Sequence, residues 1–376
     1  MHEADGQYRV TTLELFFDLV FVFAITQLTG LLAHELSLKG LFQVALAFGV
    51  LWWMYAGYAW LTNTLTPTTP TRRLLLIGGM AGFLLVALAT PDAFTGNGVL
   101  WGIGYLIVVL VHGGLYLQAN RGILLVTPGN ALAALLIIAA GMVHGAAVYV
   151  LWTAALLIPI LMPYVVSPGR FVLQAAHIVE RHGLLVLITF GESVVAIGIG
   201  VTAAGEGKGI GTGQAVAAVL SLTLVAALWW TYFAGDDERA EEALTKVTDA
   251  PRAGMIINGY FYAHLPIVIG VIAVAAGLKK VLAHPWSPLH GLPSALALAG
   301  GVGLYLLGDV LFRRAMGIGP ARFRILAIPL ALATIPLAGW IGEAQVLALA
   351  AILTGTLIIE GRARPAASTT ATTWDN

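Results

Sequence analysis

Twelve apolar runs of helix-spanning length follow one another, at residues 13–34, 41–61, 74–90, 99–118, 129–145, 147–166, 183–203, 214–234, 253–277, 292–312, 323–341 and 344–360. About twenty such residues, rising roughly 1.5 Å each, cross the ~30 Å hydrocarbon layer of a bilayer. Inside lipid every backbone N–H and C=O needs a partner within the chain, which leaves the helix as the element that runs of this length can form. Composition agrees: 59% of the 376 residues are hydrophobic and 10% are charged, against about 25% charged in soluble domains. The fold class expected is an all-α integral membrane protein with about twelve transmembrane helices. The start, MHEADGQYRVTT, has no basic region and no small-residue cleavage site follows the first run, so that run is expected to be a retained span.

Charge placement orients the spans. With twelve of them, every arginine and Lys246 fall on one side, fifteen residues in all, and only Lys39, Lys208, Lys279 and Lys280 fall on the other. Merging the fifth and sixth spans across the tight turn at His144-Gly145 would destroy this bias. The positive-inside rule then puts both termini in the cytoplasm and the protein in the cell membrane.

The two halves look related. Leu51-Trp52-Trp53-Met54-Tyr55 closes span two, and Leu228-Trp229-Trp230-Thr231-Tyr232 closes span eight. Aligning them brings Asp18 within a few residues of Glu192, and Arg73 and Arg252 both precede the third span of their halves. A duplication of six spans keeps the halves parallel. The expected organisation is a first half over 1–166 and a second over 167–362 that includes a cytoplasmic amphipathic entrance segment, with a disordered tail over 363–376. The polar stretch Gly235–Arg252 reads as a solvated helix with Glu242 and Lys246 paired at i,i+4.

Chemistry is carried by polar residues inside apolar runs. Glu192 lies about ten residues into HGLLVLITFGESVVAIGIG, roughly 14 Å below the surface, where an acid costs about 2.5–3.5 kcal/mol. Glu14 and Asp18 share one face of the first helix. Two like charges so close in a low-dielectric site resist joint ionisation, which suits a proton acceptor or a cation site. The bland alternative for Glu14 is complementing the helix dipole. His177 and Arg181 share a face beside Glu180, as an ion or substrate entrance or as a snorkelling anchor. His264 stands two residues before Pro266, which should free a carbonyl near Tyr262. Asp309 and Arg313 are spaced as an interfacial ion pair, and His112 and His144 carry weaker signals. Gly78, Gly82 and Gly300-Gly301-Val302-Gly303 suit close helix packing.

Several classes lose support. There are no cysteines, hence no disulfides, thiolate metal sites or cysteine nucleophiles. HExxH, Walker A, GxSxG and a helix-opening GxGxxG are absent, so neither a metal nor a cofactor is expected.

ELFFDLVFVFAITQL and HIVERHGLLVLITFGESVVAIG together resemble the signatures of the bacterial low temperature requirement protein A family. Glu14, Asp18, His177, Glu180, Arg181, Gly183, Gly191 and Glu192 match its pattern, while His182 stands where many members carry an aromatic residue. The resemblance implies the fold over essentially the whole chain and a link to growth in the cold, without a substrate or reaction. The leading functional reading is a secondary transporter, proton- or cation-coupled, of an unknown small solute. A membrane enzyme with Asp18, Glu192 and His264 as acid–base groups, and a scaffold or sensor without turnover, are the alternatives. Expected partners are the bilayer and a small solute or ion, not nucleic acid. Glu192 and Asp18 are expected to line one polar site.

Reporter fusions after Arg121, Arg170 and Arg252 should all give cytoplasmic signals. Periplasmic signals at the last two but not the first would mean that the fifth and sixth spans are one.

Overall fold

A computed structural model describes residues 10–65, 67–118, 123–165, 173–205, 209–289 and 291–363. The tail 364–376 lies outside the described residues. Among those described there are helices and no strands. Six helices make the first half: α1 (Thr12–His34), α2 (Leu38–Thr64), α3 (Pro70–Ala89), α4 (Gly98–Tyr116), α5 (Ile123–Ala140) and α6 (Ala146–Val165). The second half holds α7 (Ala175–Gly205), α8 (Thr212–Tyr232), α9 (Asp236–Thr245), α10 (Asp249–Ile256), α11 (His264–Ala283), α12 (Leu292–Met316), α13 (Arg322–Leu332) and α14 (Gly342–Ala363). Among the described residues eleven stretches are long and apolar enough to cross a membrane, α10 and α11 forming one of them, and Leu125–Ala140 of α5 is a shorter apolar helix. The fifth and sixth runs are separate helices, broken at Gly145 with φ +70°.

Local chemistry sets the helix ends. Thr11 caps α1 by accepting from the Glu14 amide, while Glu14 Oε2 accepts from the Thr11 amide at 2.8 Å, a reciprocal box that satisfies otherwise orphaned donors. Ser37 and Thr69 cap α2 and α3 without the reciprocal bond, their side chains accepting from the Gly40 and Arg72 amides, and Pro70 opens α3. Gly317, at φ +67°, ends α12, and the Ile318 amide donates back to the Arg313 carbonyl, the arrangement that a left-handed glycine allows. The Gly235–Arg252 stretch does contain a charged helix, α9, with Lys246 Nζ 2.6 Å from Glu242 Oε1.

Helix neighbours repeat between the halves. α1 packs on α3 as α7 packs on α11, α3 on α4 as α11 on α12, and α2 on α6 as α8 on α14. Glycines allow the tightest of these crossings. A Cβ on Gly82 of α3 would stand 2.9 Å from the Gly104 carbonyl oxygen of α4, and one on Gly104 would stand 3.0 Å from that of Gly82. Gly270 of α11 and Gly301 of α12 meet likewise, at 2.6 and 2.9 Å. Close backbone approach is how helices gain packing energy where lipid offers no hydrophobic drive. The outer surface is apolar, with Leu74, Leu110, Val150 and Val219 exposed.

Ile257–Ala263, between α10 and α11, is a π-helical segment. Pro266 lies beyond it, in the first turn of α11, and has no N–H to offer the carbonyl four residues earlier, that of Tyr262. The Trp52 indole donates to the neighbouring Phe261 carbonyl at 2.7 Å.

Gly301→Leu should lower the stability of the purified protein by about 1–3 kcal/mol or more, as overpacking does. Gly300→Leu should cost far less, because a Cβ at Gly300 would meet only Leu296 at 3.7 Å. Melting temperatures in detergent compare the two, and equal losses would contradict the crossing.

Candidate functional site

α1 and α7 lie against each other, and Glu14, Asp18 and Thr26 of α1 meet His177, Arg181 and Glu192 of α7. Arg181 of α7 has no exposed surface. Its Nη1 donates to Glu14 Oε1 at 2.8 Å and to Thr62 Oγ1 of α2, and its Nη2 donates to Asp18 Oδ1 at 3.1 Å. Phe17 and Tyr55 flank the guanidinium, their ring centres 5.6 and 5.8 Å from its carbon. Tyr55 O–H donates to the same Asp18 oxygen at 3.0 Å. Glu14 divides its carboxylate: Oε2 closes the cap of α1 and Oε1 receives Arg181 and His177. Dipole complement and buried ion pair are therefore both roles of this one residue.

The protonation of His177 follows from its neighbour. Asn63 is fixed by two bonds to Gln174, its Nδ2 donating to the Gln174 carbonyl at 2.9 Å and its Oδ1 accepting from the Gln174 amide at 3.0 Å. The same Nδ2 faces His177 Nδ1 at 3.3 Å. An amide nitrogen only donates, so Nδ1 is the bare acceptor and Nε2–H donates to Glu14 Oε1 at 3.0 Å. The imidazole is then neutral. Two carboxylates stand against one arginine, leaving one negative charge unmatched. Asp18 Oδ2 and Arg181 Nε, both buried, have no hydrogen-bond partner.

The segment from His177 to Arg181 is no separate surface strip. It is the opening of α7, with His177 and Arg181 buried and only Glu180 on the outside, where its Oε2 accepts from the Val10 amide at 3.3 Å. Glu180 does not join the cluster.

Glu192 sits elsewhere on the same seam. Eleven residues beyond Arg181 on α7, it is roughly 16 Å further along the helix. Its Oε2 accepts from Thr26 of α1 at 2.6 Å, and Lys279 of α11 brings its Nζ to 4.0 Å from Oε1. The expected single site of Asp18 and Glu192 is thus two polar levels, an acidic one with a buried arginine and a second with a lysine.

His264 is satisfied on both nitrogens. Its Nδ1–H donates to the Gly259 carbonyl at 2.8 Å and its Nε2 accepts from Tyr232 O–H at 2.8 Å. Trp52 stacks on it, and His182 and Tyr260 close the cluster, with ring centres 5.5 and 5.0 Å away. His182 donates Nδ1–H to the Ile178 carbonyl. Its position in the aromatic cluster explains how a histidine stands where family members often carry a ring. His112 is buried beside Gly57, and His144 is exposed in its turn.

A second buried ion cluster lies at the far ends of α12 and α14. Arg324, with no exposed surface, reaches Asp309 Oδ2 at 2.5 Å, Asp236 Oδ2 at 3.2 Å and Glu360 Oε1 at 3.1 Å. Arg313 pairs with Asp236 at 2.7 Å and with Glu360 at 3.2 Å. The expected Asp309–Arg313 pair is not made. Longer-range partners outcompete the i+4 neighbour because they are buried and offer better geometry. No group of three or more His, Asp or Glu among the described residues could hold a metal.

The model for the bacterial low temperature requirement A protein family matches residues 9–359. The chain belongs to this family. It is also 30% identical over 330 residues to an uncharacterized protein of Rhizobium meliloti (strain 1021), covering 83% of this chain and 79% of that one. In this member of the low temperature requirement A family, the motif residues Glu14, Asp18, His177 and Arg181 meet at one point, although 163 positions separate Asp18 from Arg181. Tyr55, Thr62, Asn63, Thr26 and Lys279 complete the two levels. Tyr55 belongs to the Trp-Trp-x-Tyr signal; the others are unremarkable polar residues at span ends or within helices.

Removing Arg181 should leave two uncompensated buried carboxylates. Arg181→Met alone should therefore cost about 3–5 kcal/mol, and adding Glu14→Gln and Asp18→Asn should recover most of it. Denaturation of the purified variants in detergent checks this; an Arg181→Met protein as stable as the parent would contradict it.

Proposed function

We propose that the protein is a secondary transporter of a small solute, coupled to a proton or another cation, with the Glu14–Asp18–His177–Arg181 cluster as its ion site. One observation carries this reading: two buried carboxylates face a single arginine and a neutral histidine, so the site lacks one positive charge. A proton or small cation supplies it, and Asp18 Oδ2, without a partner, is the atom that would take it. Buried ionisable groups of this kind mark ion pathways in membrane proteins.

The location supports the same reading. The cluster joins the first helix of each half at the arginine-rich end, and Glu192 with Lys279 lies further along the same seam. Rocking of one half against the other would remake these contacts at each level, as in alternating access. The matching glycine crossings support a duplicated, parallel pair of halves. The orientation we adopt places the arginine-rich end and both termini in the cytoplasm of a cell membrane. In it the opening of α7, with exposed Glu180, borders the route to the cluster.

Proteoliposomes carrying an internal pH dye, challenged with a panel of small solutes, provide the test. At least one solute should move protons, or a supplied cation should do so in exchange. Asp18→Asn should abolish the movement by tenfold or more on the estimate that a coupling charge is lost outright, while Glu180→Gln should leave it intact. A wild-type protein that moves no proton, cation or solute while chemically altering a lipophilic one would replace transport with catalysis.

A further inference from the structure

A cavity of about 350 Å³ opens beside the second ion cluster, between the loop after α12, the start of α13 and the end of α14. Arg239, Arg313, Arg322 and Phe323 line it together with Pro320 and Glu360. Glu360 does not make the cavity acidic. Its two oxygens accept from Arg313 and Arg324 at 3.1–3.3 Å and are saturated. Asp236 and Asp309 are likewise taken up by Arg239, Arg313 and Arg324. Four arginines then stand against three acids, and the surplus charge lies at the mouth.

Arg322 is that surplus. Its guanidinium lies over the Phe323 ring, 4.7 Å from the centre, and it makes no ion pair among the described residues. Arg239 is partly exposed and spends one nitrogen, Nη2, on Asp236 and the Ala234 carbonyl, leaving further donors toward the cavity. Asp237 and Glu238 on α9, and Arg314 and Arg362, are not among the cavity's lining residues. Arg322 also opens α13, whose N-terminus has no side-chain cap. Arg322 and Phe323, its first residues, line the cavity, so the positive end of its dipole lies beside it.

The surroundings indicate which anion. Ile325 and Leu326 on α13, and Ile358 and Ile359 on α14, are exposed apolar residues within two turns of the cavity. The cavity thus opens where the apolar outer surface meets the arginine-rich end. We propose that it is a phosphate-binding site whose phosphate is carried by the headgroup of an anionic phospholipid. The acyl chains would lie along Leu326 and Ile359 while Arg322 and Arg239 hold the phosphate, a pattern suited to basic pockets between membrane helices.

The full-length protein, purified in detergent and stripped of lipid, tests this by native mass spectrometry with phosphatidylglycerol, with phosphatidylethanolamine, and with inorganic phosphate as competitor. Phosphatidylglycerol should be retained in preference to phosphatidylethanolamine, and about thirtyfold more weakly by Arg239→Gln/Arg322→Gln, since each of the two basic groups near the headgroup contributes on the order of 1 kcal/mol. Arg322→Gln alone, which breaks no described ion pair, should show part of that loss, and Arg362→Gln none. Displacement of the lipid by millimolar phosphate would support the shared site. Stabilisation by phosphate with no lipid retained would overturn the lipid source. Equal retention of both lipids, or no difference between wild type and the double variant, would overturn the site itself.

Discussion

A guanidinium with no exposed surface, as Arg181 has, costs several kcal/mol in an apolar interior unless its donors and its charge are both matched. Much of this bundle can be traced to how that requirement is met. Two carboxylates one turn apart on α1 supply the charge, Thr62 of α2 takes a further donor, and Phe17 and Tyr55 cover the faces. Two helices, α1 and α2, are thereby tied to α7. The match is over-complete in charge, since two acids meet one arginine, and that excess is the chemical content of the site. A structural ion pair needs only one acid.

The second half solves the same problem with different parts. Arg324 is as buried as Arg181, but it is met by Asp309, Asp236 and Glu360, and Arg313 joins it. With Arg239 added, this cluster balances its three acids. The two clusters therefore differ in kind. One sits between the halves and lacks a positive charge; the other sits within the second half and is saturated. In the proposed reading the first is the ion site, while Arg324 of the second ties the start of α13 to α9, α12 and α14 beside the basic cavity.

Periodicity made much of this legible. The spans follow from the length of the apolar runs and the separate fifth and sixth helices from the charge count, while the charged α9 with its Glu242–Lys246 pair and the shared faces of Glu14 with Asp18 and of His177 with Arg181 follow from neighbours three or four residues apart. What meets those faces did not follow, because 163 positions separate Asp18 from Arg181 and nothing local joins them. The same limit explains Glu192, whose lysine comes from α11, and Asp309, whose i+4 arginine is drawn to partners in α9 and α14. The π-helical segment before α11 was not legible either, because no local propensity announces that register. Arginines counted as surface charges were a further case: Arg181, Arg313 and Arg324 orient the chain in the count yet are buried in the fold.

The central claim is that the cluster holds one exchangeable proton or cation on a carboxyl group, with His177 neutral. Infrared difference spectroscopy of the purified protein, which separates the C=O stretch of a protonated carboxylic acid from the carboxylate bands, addresses it directly. In the absence of other cations the wild type should show a protonated-carboxyl band near neutral pH that Asp18→Asn removes and Glu192→Gln does not. No such band, or an imidazolium signature from His177 in its place, would mean that the cluster is charge-balanced and contradict the account.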